Sequence, residues 1–357
     1  MRKAYLDHIR WMTVVLVVIY HVFYMFNAVE VFGGVGSFSD VQYQDGILYV
    51  VYPWFMLLLF VVSGMSTRFY LNTHSAKELL RSRTTKLLVP STIGLFVFWW
   101  ILGYFNIKMG GGLAEVAQAP LPIRYFIMAF SGTGPLWFIQ MLWMFCAGLV
   151  LIKKIVRNRN TAGFHELCSK TPVIVLIAFV VLIWGAAQLF NMPVITTYRF
   201  GIYGVGFLLG YLVFAYEEVM ERLEKWWLPL TLAMVVLCAA FTISFFGRPY
   251  AEHEVLDTFL CNAYAWIGVL AILAFMKKWG DFSNPFTEWM TKKSWGLYLF
   301  HDFTLVICAN LIFECAIPAL LKYLITAIAA FGGAFILYEV LSRIPFLRWA
   351  VCGLKKR

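Results

Sequence analysis

Apolar runs long enough to cross a ~30 Å hydrocarbon layer as helices recur along the whole chain, and they constrain its fold more than any other feature. They fall at about 9–28, 46–66, 88–106, 134–152, 172–190, 197–216, 227–246, 257–276, 294–313 and 318–342. Only 13% of the residues are charged, where a soluble domain carries about 25%. The expectation is an all-α polytopic membrane protein of about ten transmembrane helices, forming a single integral-membrane domain over 1–357.

The basic residues test that count. With the N-terminus in the cytoplasm and ten crossings, 24 of the 29 Lys and Arg fall in cytoplasmic segments. Lys108, Arg124, Arg199, Arg248 and Lys322 fall on the other side. One span more or fewer would scramble this alternation, so the positive-inside rule predicts ten spans with both termini cytoplasmic. The same sorting explains the formal charge of +10 without any nucleic acid partner. Trp99, Trp100, Trp226, Trp227, Trp279 and Trp289 crowd the span ends as an interfacial belt. The run YFIMAF at 125–130 is too short to span and is expected to lie in the interface or re-enter. The first apolar run follows MRK as a secretory signal would. It is too long and lacks a small-x-small cleavage site, so it is read as the first span.

That first span carries the main polar anomaly. In YLDHIRWMTVVLVVIYHVFYMFNA (5–28), Arg10 and His21 are eleven residues apart. Eleven residues are ~3 helical turns, so both side chains share one face with ~16 Å of rise between them. Asp7 lies one turn before Arg10 on the same stripe. Polar groups on a lipid-embedded helix are costly unless their face looks into protein or water, which makes this stripe a candidate active-site wall. The bland readings are an Arg10 that snorkels to headgroups and a His21 hydrogen-bonded between helices. In SWGLYLFHD (294–302), Ser294, Tyr298 and His301 follow i, i+4, i+7, and Asp302 lies four residues after Tyr298. This stripe is either a structural ladder or part of a site. Arg81, Arg83 and Lys86 in RSRTTKLLVP anchor the third span at its inner edge or form a polyphosphate clamp, for which guanidinium forks are suited.

Other chemistries lack their motifs. The seven cysteines show no metal-ligand spacing, so no metal is expected. There is no GxxxxGK[ST] loop, no GxGxxG and no HExxH. Ser63-Gly64 and Gly134-Pro135 are read as packing and helix-interruption signals.

Six segments, in order, resemble the membrane-bound acyltransferase-3 family, the integral-membrane O-acyltransferases of bacterial surface glycans. LDHIRWMTVVLVVIYH is similar to that family's LDxLR opening with its Arg-x10-His signature at Arg10 and His21. FVVSG (60–64), RSRTTKLLVP, GPLWFI, SWGLYLFH and the closing SRIPFLRW match further stretches. Two departures are Pro135 before LWF, where many members have a polar residue, and the lack of a recognisable appended extracytoplasmic hydrolase-like domain.

The resemblance implies transfer of a small acyl group from cytoplasmic acyl-CoA, with acetyl-CoA the expected donor. The implied acceptor is a hydroxyl of an extracytoplasmic or lipid-linked glycan at the bacterial cytoplasmic membrane. It implies His21 as general base or acyl relay on a wall shared with Arg10 and Asp7. Arg81, Arg83 and Lys86 would hold the donor's phosphates, and Tyr298, His301 and Ser294 would bind or orient. Besides membrane lipids, the implied partners are acyl-CoA and the glycan. A secondary transporter or exporter of a sugar is the alternative, favoured by intramembrane Arg, His and Asp. A scaffold within a glycan-assembly complex is the third reading.

Overall fold

A computed structural model describes residues 3–29, 34–38, 40, 42–156, 162–192 and 197–355. Part of the 29–45 loop, at 30–33, 39 and 41, lies outside them, as do Arg2, Arg157, Arg159, Lys356 and Arg357 of the charge count. The fold is all-α. Among the described residues there is no strand, only an isolated antiparallel bridge between Asn191 and Arg199.

The helices that matter below are α1 (Ala4–Tyr24), α2 (Gly46–Leu71), α3 (Trp100–Met109), α4 (Leu121–Ser131), α5 (Leu136–Ile155) and α6 (Val173–Ala187). They continue with α7 (Phe200–Leu209), α8 (Trp227–Phe245), α9 (Phe259–Trp279), α10 (Pro285–Ile312) and α11 (Ala319–Ile328). Among the described residues seven helices are long and apolar enough to cross a bilayer, and two further bent pairs raise the number to nine. The bends are 105° between Ala162–Ser169 and α6, and 98° between Phe200–Phe214 and the charged helix Glu217–Glu224. The remaining expected span, 88–106, is not one straight helix. It is interrupted by turns around Val89–Thr92 and by a π-helical turn at Leu95–Trp99 before α3 begins.

The chain divides into two compact units. The first comprises Met1–Thr13, Tyr49–Leu80 and Met144–Thr291, the second Val14–Leu48, Arg81–Trp143 and Lys292–Arg357. In the first, α9 is the interior helix, with 78% of its apolar window buried against 11% for α8. Hence α8 turns most of its apolar side chains outward. Trp266 of α9 donates from Nε1 to the Leu176 carbonyl at 2.7 Å, satisfying the indole's polar edge inside the unit. Helix α2 crosses the α7 segment where glycines face backbone. A Cβ at Gly64 would collide with the Phe207 carbonyl, and one at Gly210 with the Val61 carbonyl. Close approach of this kind is how membrane helices gain dispersion contact without a hydrophobic driving force.

In the second unit the YFIMAF run lies within α4 and packs against α3 as a short helical pair. Gly103 meets the Met128 carbonyl and Gly132 the Trp99 carbonyl, so neither position has room for a side chain. Asn106 donates across to the Ser131 carbonyl at 2.8 Å. Trp99 stacks on Phe300 of α10 at 5.4 Å between ring centroids, and Phe98 on Phe303 at 4.7 Å. These rings fix α10 in the unit and thereby set the height and facing of its polar stripe.

Candidate active site

Helix α1 is unbroken from Ala4 to Tyr24, so the eleven-residue spacing from Arg10 to His21 is helical throughout. The apolar β-branched run between them is what a buried helix wall permits once tertiary packing overrides propensity. Asp7 and Arg10 belong to the first unit, His21 to the second.

In the first unit, Arg10 donates from Nη1 to Asp7 Oδ1 at 2.6 Å, the i,i+3 pairing that the helix geometry imposes. Its Nη2 donates to Ser66 Oγ on α2. Ser66 itself donates to the Val62 carbonyl, 2.6 Å away, so its hydroxyl lone pairs are turned to the guanidinium. Ser66 was not legible as a partner. It lies just beyond FVVSG, and only the crossing of α1 and α2 within this unit exposes its role.

In the second unit, His21 meets His301 of α10. The ring centroids are 5.1 Å apart, and His301 Nε2 lies 3.4 Å from His21 Nδ1. His21 is half-buried and His301 fully buried. His21 Nδ1 also sits 2.7 Å from the Val17 carbonyl. His301 Nδ1 sits 3.1 Å from the Leu297 carbonyl and 2.8 Å from that of Tyr298. A carbonyl only accepts, so each Nδ1 carries a hydrogen, and in the neutral form of such a ring the lone pair lies on Nε2. For His21 that lone pair has no hydrogen-bond partner among the described residues. A neutral imidazole with an available Nε2 is the form that a general base requires.

The rest of the α10 stripe runs from this pair back toward Lys86. Tyr298 is 6.5 Å from His301 ring to ring and donates from its hydroxyl to the Pro135 carbonyl. Trp295 stacks on Tyr298 at 5.7 Å and donates from Nε1 to the Cys352 carbonyl at 2.9 Å. Lys86 Nζ lies over the Trp295 ring, 4.8 Å from its centroid. Ser294 is half-buried one turn before Tyr298. Trp295 is the member that sequence reading missed, because an aromatic among aromatics gives no signal. Pro135, assigned no function from sequence, contributes its backbone oxygen.

Asp302 is buried and turned toward Gly134, whose φ is +37°. A Cβ built there would stand 2.9 Å from Asp302 Oδ2, so both backbone and space require glycine.

The basic run divides. Arg81 is exposed and Arg83 half-buried at the end of the short helix Ala76–Arg83. Arg83 Nε is buried with no hydrogen-bond partner among the described residues. Lys86 follows in a π-helical turn, Thr84–Leu88, a distortion frequent at functional sites. Trp143 Nε1 donates to Thr84 Oγ1 at 3.0 Å and ties this turn to α5. No group of three or more metal-ligating side chains occurs among the described residues.

A family model described as an acyltransferase domain matches residues 3–339. The chain belongs to this acyltransferase family. Residues 3–339 include the α1 stripe, the basic run, the Gly134-Pro135 turn and the α10 stripe, so every side chain described above lies inside the matched region of this membrane acyltransferase. No curated protein and no solved structure matches the chain.

Proposed function

We propose that this membrane acyltransferase moves a small acyl group, acetyl or similar, from cytoplasmic acyl-CoA to a hydroxyl of an extracytoplasmic or lipid-linked glycan. His21 is the general base, and 1–357 act as one catalytic domain in a bacterial cytoplasmic membrane. The observation that carries this reading is the His21 ring itself: Nδ1 is held by hydrogen bonds and the Nε2 lone pair is left for a substrate proton. A relay through an acyl-imidazole uses the same nitrogen.

Three further observations support the assignment of the ends. With the ten crossings expected from the sequence, the positive-inside rule assigns Arg10 and the 81–86 run to the cytoplasmic side, where the donor is made. The buried, unpartnered Nε of Arg83 is a donor that phosphate oxygens would satisfy. Lys86 adds positive field beside it. Arg10, held by Asp7 and Ser66, then lies on the same helix stripe as the base. Ser294 and Tyr298 line the approach to it and orient the thioester.

The test is acyl transfer from labelled acyl-CoA to cell-envelope glycans by His21→Ala, with membrane insertion confirmed. Transfer at the unsubstituted rate would remove His21 from the mechanism. Mass spectrometry of envelope glycans with and without the protein names donor and acceptor together, because an ester-sized mass shift identifies both.

A further inference from the structure

We propose that His301 acts through His21, as the acceptor that holds the Nδ1 hydrogen and steadies the positive charge formed when Nε2 takes a proton. This rests on the reading of His21 as the base and adds a positioning residue to it.

The geometry allows His301 one role. Its ring is fully buried in α10, where an unpartnered polar nitrogen is expensive. Two carbonyls, those of Leu297 and Tyr298, take its Nδ1 hydrogen. The remaining nitrogen, Nε2, is therefore an acceptor, and it lies 3.4 Å from His21 Nδ1. The His21 hydrogen is shared between this nitrogen and the Val17 carbonyl at 2.7 Å. Asp302, the adjacent carboxylate, is turned to the Gly134 turn and acts on His21 through its charge, with His301 supplying the ring contact. Where serine-hydrolase triads orient the catalytic imidazole with a carboxylate oxygen, the side-chain acceptor here is a ring nitrogen.

The reaction balances without a proton leaving His21 toward His301. The acceptor hydroxyl attacks the thioester carbonyl, the new C–O bond forms, and the hydroxyl proton passes to His21 Nε2. Collapse of the tetrahedral intermediate breaks the C–S bond, and the same proton goes to the departing sulfur. Between these steps His21 is an imidazolium whose Nδ1–H is a stronger donor than in the resting ring. His301 Nε2 strengthens its hydrogen bond in that interval only, so it favours the transition state over the ground state.

The experiment compares the full-length protein, purified in lipid nanodiscs, with His301→Leu, His301→Gln, His21→Ala and the double variant His21→Ala/His301→Leu. His301→Leu removes the acceptor, and its expected effect is a kcat lowered roughly 10- to 100-fold, the value of one charge-assisted hydrogen bond, with the acyl-CoA KM within about twofold. His301→Gln restores an oxygen acceptor near Nε2 and is expected within about fivefold of the parent. The double variant is expected to be no slower than His21→Ala, because the two residues work as a unit. Should His301→Leu not insert, His301→Met fills the volume without a nitrogen or oxygen acceptor and decides the same comparison. Unchanged kcat in the acceptor-less variant, equal losses in it and His301→Gln, or losses that multiply in the double variant would each overturn the proposal. Full transfer by His21→Ala would instead sink the base reading beneath it, which keeps the two failures distinct.

Discussion

The charge on Arg10 is met by a carboxylate from its own helix and a hydroxyl from α2, whereas His21 is met by a backbone carbonyl and a second imidazole. The first arrangement consumes an ionic group and keeps it charged. The second leaves one ring nitrogen unspent. A charge that is already paired is suited to holding a substrate of opposite sign, since its geometry is fixed before binding. A lone pair without a partner is suited to chemistry. On the proposed reading, the difference teaches that polar residues on one membrane helix divide their roles, and that their partners rather than their depth tell them apart.

The largest effect that would sharpen this contrast is at His21. His21→Ala is expected to lower kcat by about 10²- to 10⁴-fold, the usual contribution of a general base, measured as single-turnover acyl transfer. Next, Arg10→Ala is expected to raise the acyl-CoA KM about 10- to 100-fold while kcat changes less, as loss of a charged hydrogen-bonding group at a binding subsite would. An Arg10→Ala variant that lost kcat and kept its KM would break the division of roles. Gly134→Ala combines a positive φ with contact at Asp302. It is expected to cost about 1–3 kcal/mol, read as a lower melting temperature of the purified protein. Ser66→Ala is the smallest. It leaves the Asp7 bond in place and is expected to cost about 0.5–1.5 kcal/mol in donor binding, or at most roughly tenfold in KM.

The α1 stripe was legible because Asp7, Arg10 and His21 are rare residue types in an apolar run and helical spacing alone fixes their common face. The i, i+4, i+7 pattern of Ser294, Tyr298 and His301 was legible for the same reason. What those stripes touch was not. The meeting of His21 with His301 joins residues 280 positions apart, and no local pattern encodes it. Ser66 and Trp295 are ordinary residues for a membrane helix, and their importance comes only from neighbours. Sequence placed the third span at 88–106 because hydropathy sums over a window. It is blind to the turns at Val89–Thr92 and the π-helical turn at Leu95–Trp99 that break the helix. The first helix likewise ends at Tyr24 rather than 28, where the Asn27 side chain donates to the Tyr24 carbonyl at 2.5 Å and takes over a bond that a further turn would have made.

Since α1 is helical without interruption from Ala4 to Tyr24, the common face of Arg10 and His21 depends on a count of residues. Inserting or deleting one residue between them turns one of the two about 100° away from the other. The run Trp11–Tyr20 therefore tolerates a change of side chain far better than a change of length.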